Sequence, residues 1–149
     1  MEKELITECS LFLEKYNVNA FKLNEWQQVI ENETFSENIY MDIVDYFAYD
    51  VLQQGNSFAS SKNDLKLTYF LENELYHLLS SEKNRGKAEI LTSSLISTVA
   101  TSIANMYNMD VFIVTGITNL IVLVIVKIGV NAWCRYFEEK YEKESKKVN

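Results

Sequence analysis

The sequence predicts an all-α fold, a single helical bundle of about six helices around a central apolar αα-hairpin at residues 88–134. Three observations predict it. The 149 residues include no proline and four glycines, too few turn formers for the many connections of an all-β domain. Segment after segment repeats apolar residues at helical spacing. One stretch, Val111 to Trp133, is apolar nearly throughout, with Lys127 as its sole formal charge. Residues 1–81 supply amphipathic helices, 88–134 the hairpin, and 135–149 a charged helical tail of the same domain.

In residues 3–16, Leu5, Cys9, Phe12 and Tyr16 share one helical face, and Asn17 and Asn19 end the element. Asn24 with Gln27 opens a short helix that turns Trp26, Val29 and Ile30 inward. Thr34 with Glu37 forms a better capping box for a helix reaching Gln53, striped by Tyr40, Val44, Phe47 and Val51. Gly55 to Ser61 reads as a loop, and Ser61 with Asp64 caps a helix over about 63–81. That helix repeats Leu67, Phe70, Leu71, Leu75, Leu78 and Leu79 on one side. Lys83 to Lys87, with Gly86, supplies a stop.

Residues 88–107 carry Leu91, Leu95, Val99, Ile103 and Met106 on one side. A ridge of Ser93, Ser97, Ala100, Thr101 and Ala104 runs along another, and small residues at this spacing let two helices approach closely. Asn108 and Met109 separate this helix from the next, and Asp110 is placed to cap it. As one rod, residues 111–147 would span roughly 55 Å, far beyond a radius of gyration of about 15 Å for a domain this size. The rod therefore breaks near Gly116 or Gly129, or its tail projects. The run Leu120–Val126 is also rich enough in β-branched residues for a buried strand, but no other run offers it a sheet partner.

Charge narrows the function. The net charge is −7, and the first 60 residues hold 11 acidic against 3 basic side chains. Direct nucleic-acid binding is disfavoured, because no basic face offsets the acidic half. Asp42, Asp45 and Asp50 form an acidic stripe that could meet a partner's basic groove, or simply stay solvated. Cys9 and Cys134 are too few for a disulfide framework or cysteine-rich metal site and read as reduced, buried thiols. The N-terminal MEKELITE lacks the pattern of a signal peptide, so a cytoplasmic protein is expected.

No catalytic pattern is present. His77 is the lone histidine, so Glu74-x-x-His77 cannot complete a two-pair di-iron site and reads as solvated. The Ser- and Thr-rich 92–102 stretch lacks Gly-x-Ser-x-Gly, and neither a P-loop nor a dinucleotide fingerprint occurs. No enzyme activity, catalytic residue, metal or cofactor is expected.

Two burial schemes compete for the hairpin, represented by Leu120, Leu123, Val126 and Lys127. In one it is a soluble core, and Lys127 marks where the helix surfaces. In the other it is a membrane hairpin in an inner or plasma membrane, with Lys127 snorkelling and both termini cytosolic. The eight Ser, Thr or Asn residues from Thr92 to Asn105 weigh against the membrane, as do the amphipathic stripes left without cover. Amphipathic helices around an apolar hairpin resemble, in architecture alone, pore-forming toxin domains and Bcl-2-like proteins. No Asn-Trp-Gly-Arg stretch is present, so the resemblance carries over no functional residue. The expected function is a non-enzymatic interaction protein of a microbial or viral cytosol. It would bind a protein partner, as an inhibitor if the acidic half does the binding, with oligomerisation through the C-terminal helix. The alternative is a membrane-inserting effector of the pore-forming type.

Overall fold

A computed structural model describes residues 2–15, 24, 28, 61–81 and 88–148, with side chains described from 67 onward within 61–81 and from 89 to 141 within 88–148. The described residues form five α-helices and one short 3-10 turn, with no strand among them. The helices are α1 (Glu2–Lys15), α2 (Ser61–Ser80), α3 (Ser93–Tyr107), α4 (Val111–Ile128) and α5 (Val130–Val148), the 3-10 turn being Ala88–Ile90. The helices expected from Asn24 and from Thr34, and with them Asp42, Asp45 and Asp50, lie outside the described residues apart from Asn24 and Gln28, which are helical.

α4 is the axis of the bundle. Ile113, Val114, Ile117, Leu120 and every residue from Ile121 to Ile125 are buried, all the way round the helix. The β reading of 120–126 fails because neighbouring helices, rather than strands, cover this run. α1 and α3 flank α4, and α2 and α5 pack against each other and against it. By length and composition Val111–Ile128, with mean hydropathy 2.5, is the one membrane-span candidate among the described residues. Its enclosure is also what the centre of a helical bundle requires.

The hairpin is closed by local hydrogen bonding. Asn108 takes the left-handed conformation at φ 52°, and the Met109 and Asn108 amides donate to the Ala104 and Asn105 carbonyls at 2.9 and 3.4 Å. This is a Schellman motif with asparagine in the usual glycine place. Asp110 Oδ1 then accepts from the Phe112 amide at 2.8 Å and caps α4, as the sequence indicates. At the far end of α3, Thr92 Oγ1 accepts from the Leu95 amide at 3.2 Å. That cap starts α3 at Ser93 and leaves Ala88–Ile90 as a separate turn, later than the expected start at 88.

The small-residue ridge of α3 divides. Ala100 and Ala104 are buried with Ile96, Val99 and Ile103, while Ser93, Ser97 and Thr101 face outward. Met106, expected on the apolar side, is exposed. On α1 the buried positions are Leu5, Cys9 and Leu13, so Leu13 shares the inner face with Cys9 while Phe12 sits half-buried beside it. The α2 leucines at 67, 71, 75 and 79 are buried, as their spacing requires.

The long apolar rod breaks at Gly129. This residue sits at φ 97°, ψ 148°, a region open almost exclusively to glycine, and its amide still bonds the Ile125 carbonyl at 2.9 Å. The break turns α5 back along α2, antiparallel to it. Phe137 stacks on Tyr76 with ring centroids 4.5 Å apart, and Tyr141 meets Tyr69 edge-on at 4.6 Å. Trp133 is fully buried behind them. The apolar face of α5 is thus covered by α2 as far as Tyr141.

A Cβ added to Gly129 would meet nothing within 4 Å, so its substitution isolates backbone strain. Gly129→Ala is expected to lower stability by about 1–3 kcal/mol in urea unfolding with the helical signal retained. Asn108→Gly should instead leave stability level or raised by up to about 1 kcal/mol.

Candidate interaction groove

α4 is not covered evenly. Between α1 and α3 its surface stays partly open, and there the helix carries Thr115 and Asn119, one turn apart and half-buried. The resulting groove encloses about 390 Å³ and is lined by Glu4, Leu5 and Glu8 of α1, Leu91, Ser93 and Ile96 at the start of α3, and Thr115 and Asn119. Leu5, Leu91 and Ile96 give it an apolar floor. Its rim carries two carboxylates, Glu4 and Glu8, and its described lining residues include no cation. Asn119, Thr115 and Ser93 add hydroxyl and amide groups that can donate or accept. The third polar side chain in this part of α4, Thr118, points inward and donates to the Val114 carbonyl at 2.7 Å.

The α1 wall is held at three points along α4, to which it runs antiparallel. At one end Lys127 Nζ pairs with Glu2 Oε1 at 2.5 Å. Lys127 is thus a mostly covered cation at the bundle's end, in contact with α1. Towards the other end the Phe12 ring packs against Gly116, so close that a Cβ there would sit 2.2 Å from the ring. Gly116 serves close approach between helices, and the expected alternative of a break there does not occur. Beyond it, Lys15 Nζ stands 5.8 Å from the centroid of the Phe112 ring. Between these points Cys9 is fully buried, and burial pushes its thiol up to about 12, with Glu8 adding to the effect.

A second, similarly open cleft of about 490 Å³ lies between α2 and α5, lined by Tyr76, Leu79, Ser80, Asn131, Cys134, Arg135 and Glu138. Its reactive groups are committed to one another. The Tyr76 hydroxyl donates to Glu138 Oε1 at 2.6 Å, and that bond holds the phenol up at about 12. Burial, then Glu138, raises the Cys134 thiol as well, so no activated nucleophile results. His77 is exposed, and no group of three metal-ligating side chains occurs among the described residues. Of the other sequence candidates, Leu120 and Leu123 are fully buried core, and Val126 is half-buried. Comparison of the chain with known protein families, with curated proteins and with solved structures finds no match.

Thr115, Asn119, Glu4 and Glu8 were not singled out by the sequence reading. The signal was the i, i+4 pair Thr115 and Asn119 in a mostly apolar helix, which marks a face that the described neighbours leave partly open. Two outcomes check this geometry. Gly116→Ala should destabilise by about 1–3 kcal/mol, and in a Phe12→Ala background its cost should vanish, which a double-mutant cycle reads directly. Cys9 should resist alkylation in the native protein while Cys134 reacts slowly. Because both thiols are raised in the folded state, their contribution to stability is complete below pH 9 and falls as pH rises above it, for Cys9 until about 12.

Proposed function

We propose that this chain is a non-enzymatic interaction protein that receives a basic amphipathic segment of a partner protein in the groove between α1 and α3. The carrying observation is the groove's composition, two carboxylates on the rim, an apolar floor and no cation among the described lining residues. Partner lysines or arginines would meet Glu4 and Glu8, while apolar side chains one helical turn apart would rest on Leu5, Leu91 and Ile96. A groove of this volume takes two or three side chains rather than a whole helix, so the rest of the contact would be made along the outer faces of α1 and α3. The acidic excess of the N-terminal part favours the same class of partner at long range and speeds encounter. An inhibitor that mimics a polyanion through Asp42, Asp45 and Asp50 is the sharper form of this reading.

A fluorescent Leu/Lys amphipathic peptide titrated against the full chain tests it by anisotropy. Glu4→Gln and Glu8→Gln should each weaken binding by about two- to fivefold at low salt, with the difference shrinking as salt rises. Binding lost only when Asp42, Asp45 and Asp50 are reversed would move the site to the acidic stripe. No binding of basic peptides, together with turnover found by substrate screening, would overturn the proposal.

A further inference from the structure

We infer that the groove between α1 and α3 selects arginine over lysine, with Glu8 and Asn119 sharing one guanidinium of the partner segment. The inference rests on the reading that the groove receives a basic segment of a protein, and it names the side chain that enters. It is carried by hydrogen-bonding capacity that the fold leaves unspent. α4 is an apolar helix of mean hydropathy 2.5, where a polar side chain withdrawn from water ordinarily finds a partner. Thr118 does so by donating to the Val114 carbonyl at 2.7 Å, and on α3 Thr98 donates to the Ser94 carbonyl at 2.9 Å. Among the described residues of the groove, the half-buried Asn119 amide and Thr115 hydroxyl make no hydrogen bond. Glu4 and Glu8, on the α1 wall, make no ion pair.

The register of α1 on α4 brings these groups to matching heights. Glu2 meets Lys127 and Phe12 meets Gly116, so on two antiparallel helices of equal rise Glu8 stands at about the level of Asn119. Glu4 lies one turn nearer Lys127, and Thr115 one turn nearer the hairpin. At the level of Asn119 the groove therefore offers a carboxylate from one wall and an amide oxygen from the other. A guanidinium is a planar fork that can lay two N–H donors on Glu8 and direct a third to Asn119 Oδ1. It is also weakly hydrated for a cation, so half-burial costs it less than it costs the compact ammonium of lysine. Its aliphatic stem would rest on Leu5, Leu91 and Ile96, the apolar floor. Glu4 then serves a second cation one turn along the partner, which either basic residue supplies.

Two amphipathic peptides that differ only in carrying arginine or lysine at every basic position, titrated by anisotropy against the full chain, test the inference. The arginine peptide should bind about tenfold tighter, the worth of one hydrogen bond to a charged group. Asn119→Leu and Asn119→Ala should each bring that ratio to about twofold or less, while lysine-peptide affinity changes by no more than about twofold. Glu8→Gln should weaken both peptides, because the carboxylate serves either cation. The urea midpoint of Asn119→Leu should not fall, since leucine suits an apolar helix, so its lost preference reads recognition rather than folding. Equal affinity of the two peptides for the parent would overturn the inference, as would an arginine preference that survives both Asn119 substitutions. In either case, binding of the lysine peptide leaves the groove's proposed role standing, whereas failure of both peptides to bind removes role and selectivity together.

Discussion

Enclosure of α4 is the constraint from which the rest of this structure follows. A helix apolar on every side cannot be satisfied by one neighbour, because each neighbour covers only about a third of its circumference. α3 reaches one side through Ala100 and Ala104, whose small side chains bring the two axes close. α1 reaches another by laying Phe12 across Gly116. α2 and α5 complete the cover as a pair, joined by stacked aromatic rings. Where the cover is incomplete, α4 has exchanged isoleucine and valine for Thr115 and Asn119, and the candidate groove follows from that exchange.

Much of this was legible in the sequence, because it rests on local rules. The all-helical class follows from the missing prolines and the helical periodicity. The hairpin and its Asp110 cap follow from an apolar run that begins one residue after an acceptor side chain. The leucine stripe of α2 is a period that burial simply confirms. Two glycines were visible as singular points in the long apolar rod, but their roles could not be told apart. Gly116 and Gly129 look alike in sequence. The first is a landing site for a ring more than a hundred residues distant, and the second is a backbone kink. Distinguishing them requires knowing which helix lies opposite, information no local pattern contains.

The groove was illegible for the same reason. Glu4 and Glu8 look like ordinary solvated positions on an amphipathic helix until α1 is placed antiparallel to α4, which sets them beside Asn119 and Ile96. Conversely, the residues that seemed most suggestive of chemistry lose that character in context. Cys134 is held in its thiol form by burial and by Glu138, and Tyr76 is tied to the same carboxylate. Functional meaning here arises from which faces remain uncovered, and periodicity predicts coverage only for helices whose neighbours are known.

The seating of Phe12 on Gly116 also has a temporal side. The two residues are 104 positions apart. At a synthesis rate of about 5–20 residues per second, the α1 stripe of Leu5, Cys9 and Leu13 waits roughly 5–20 s for the helix that buries it. Throughout that interval it is free to associate with anything apolar in reach, including the same stripe on a neighbouring nascent chain. The acidic side chains spread along α1 and the residues after it then have a role before any partner is met. Like charge on neighbouring chains, 11 acidic against 3 basic side chains in the first 60 residues, opposes that association.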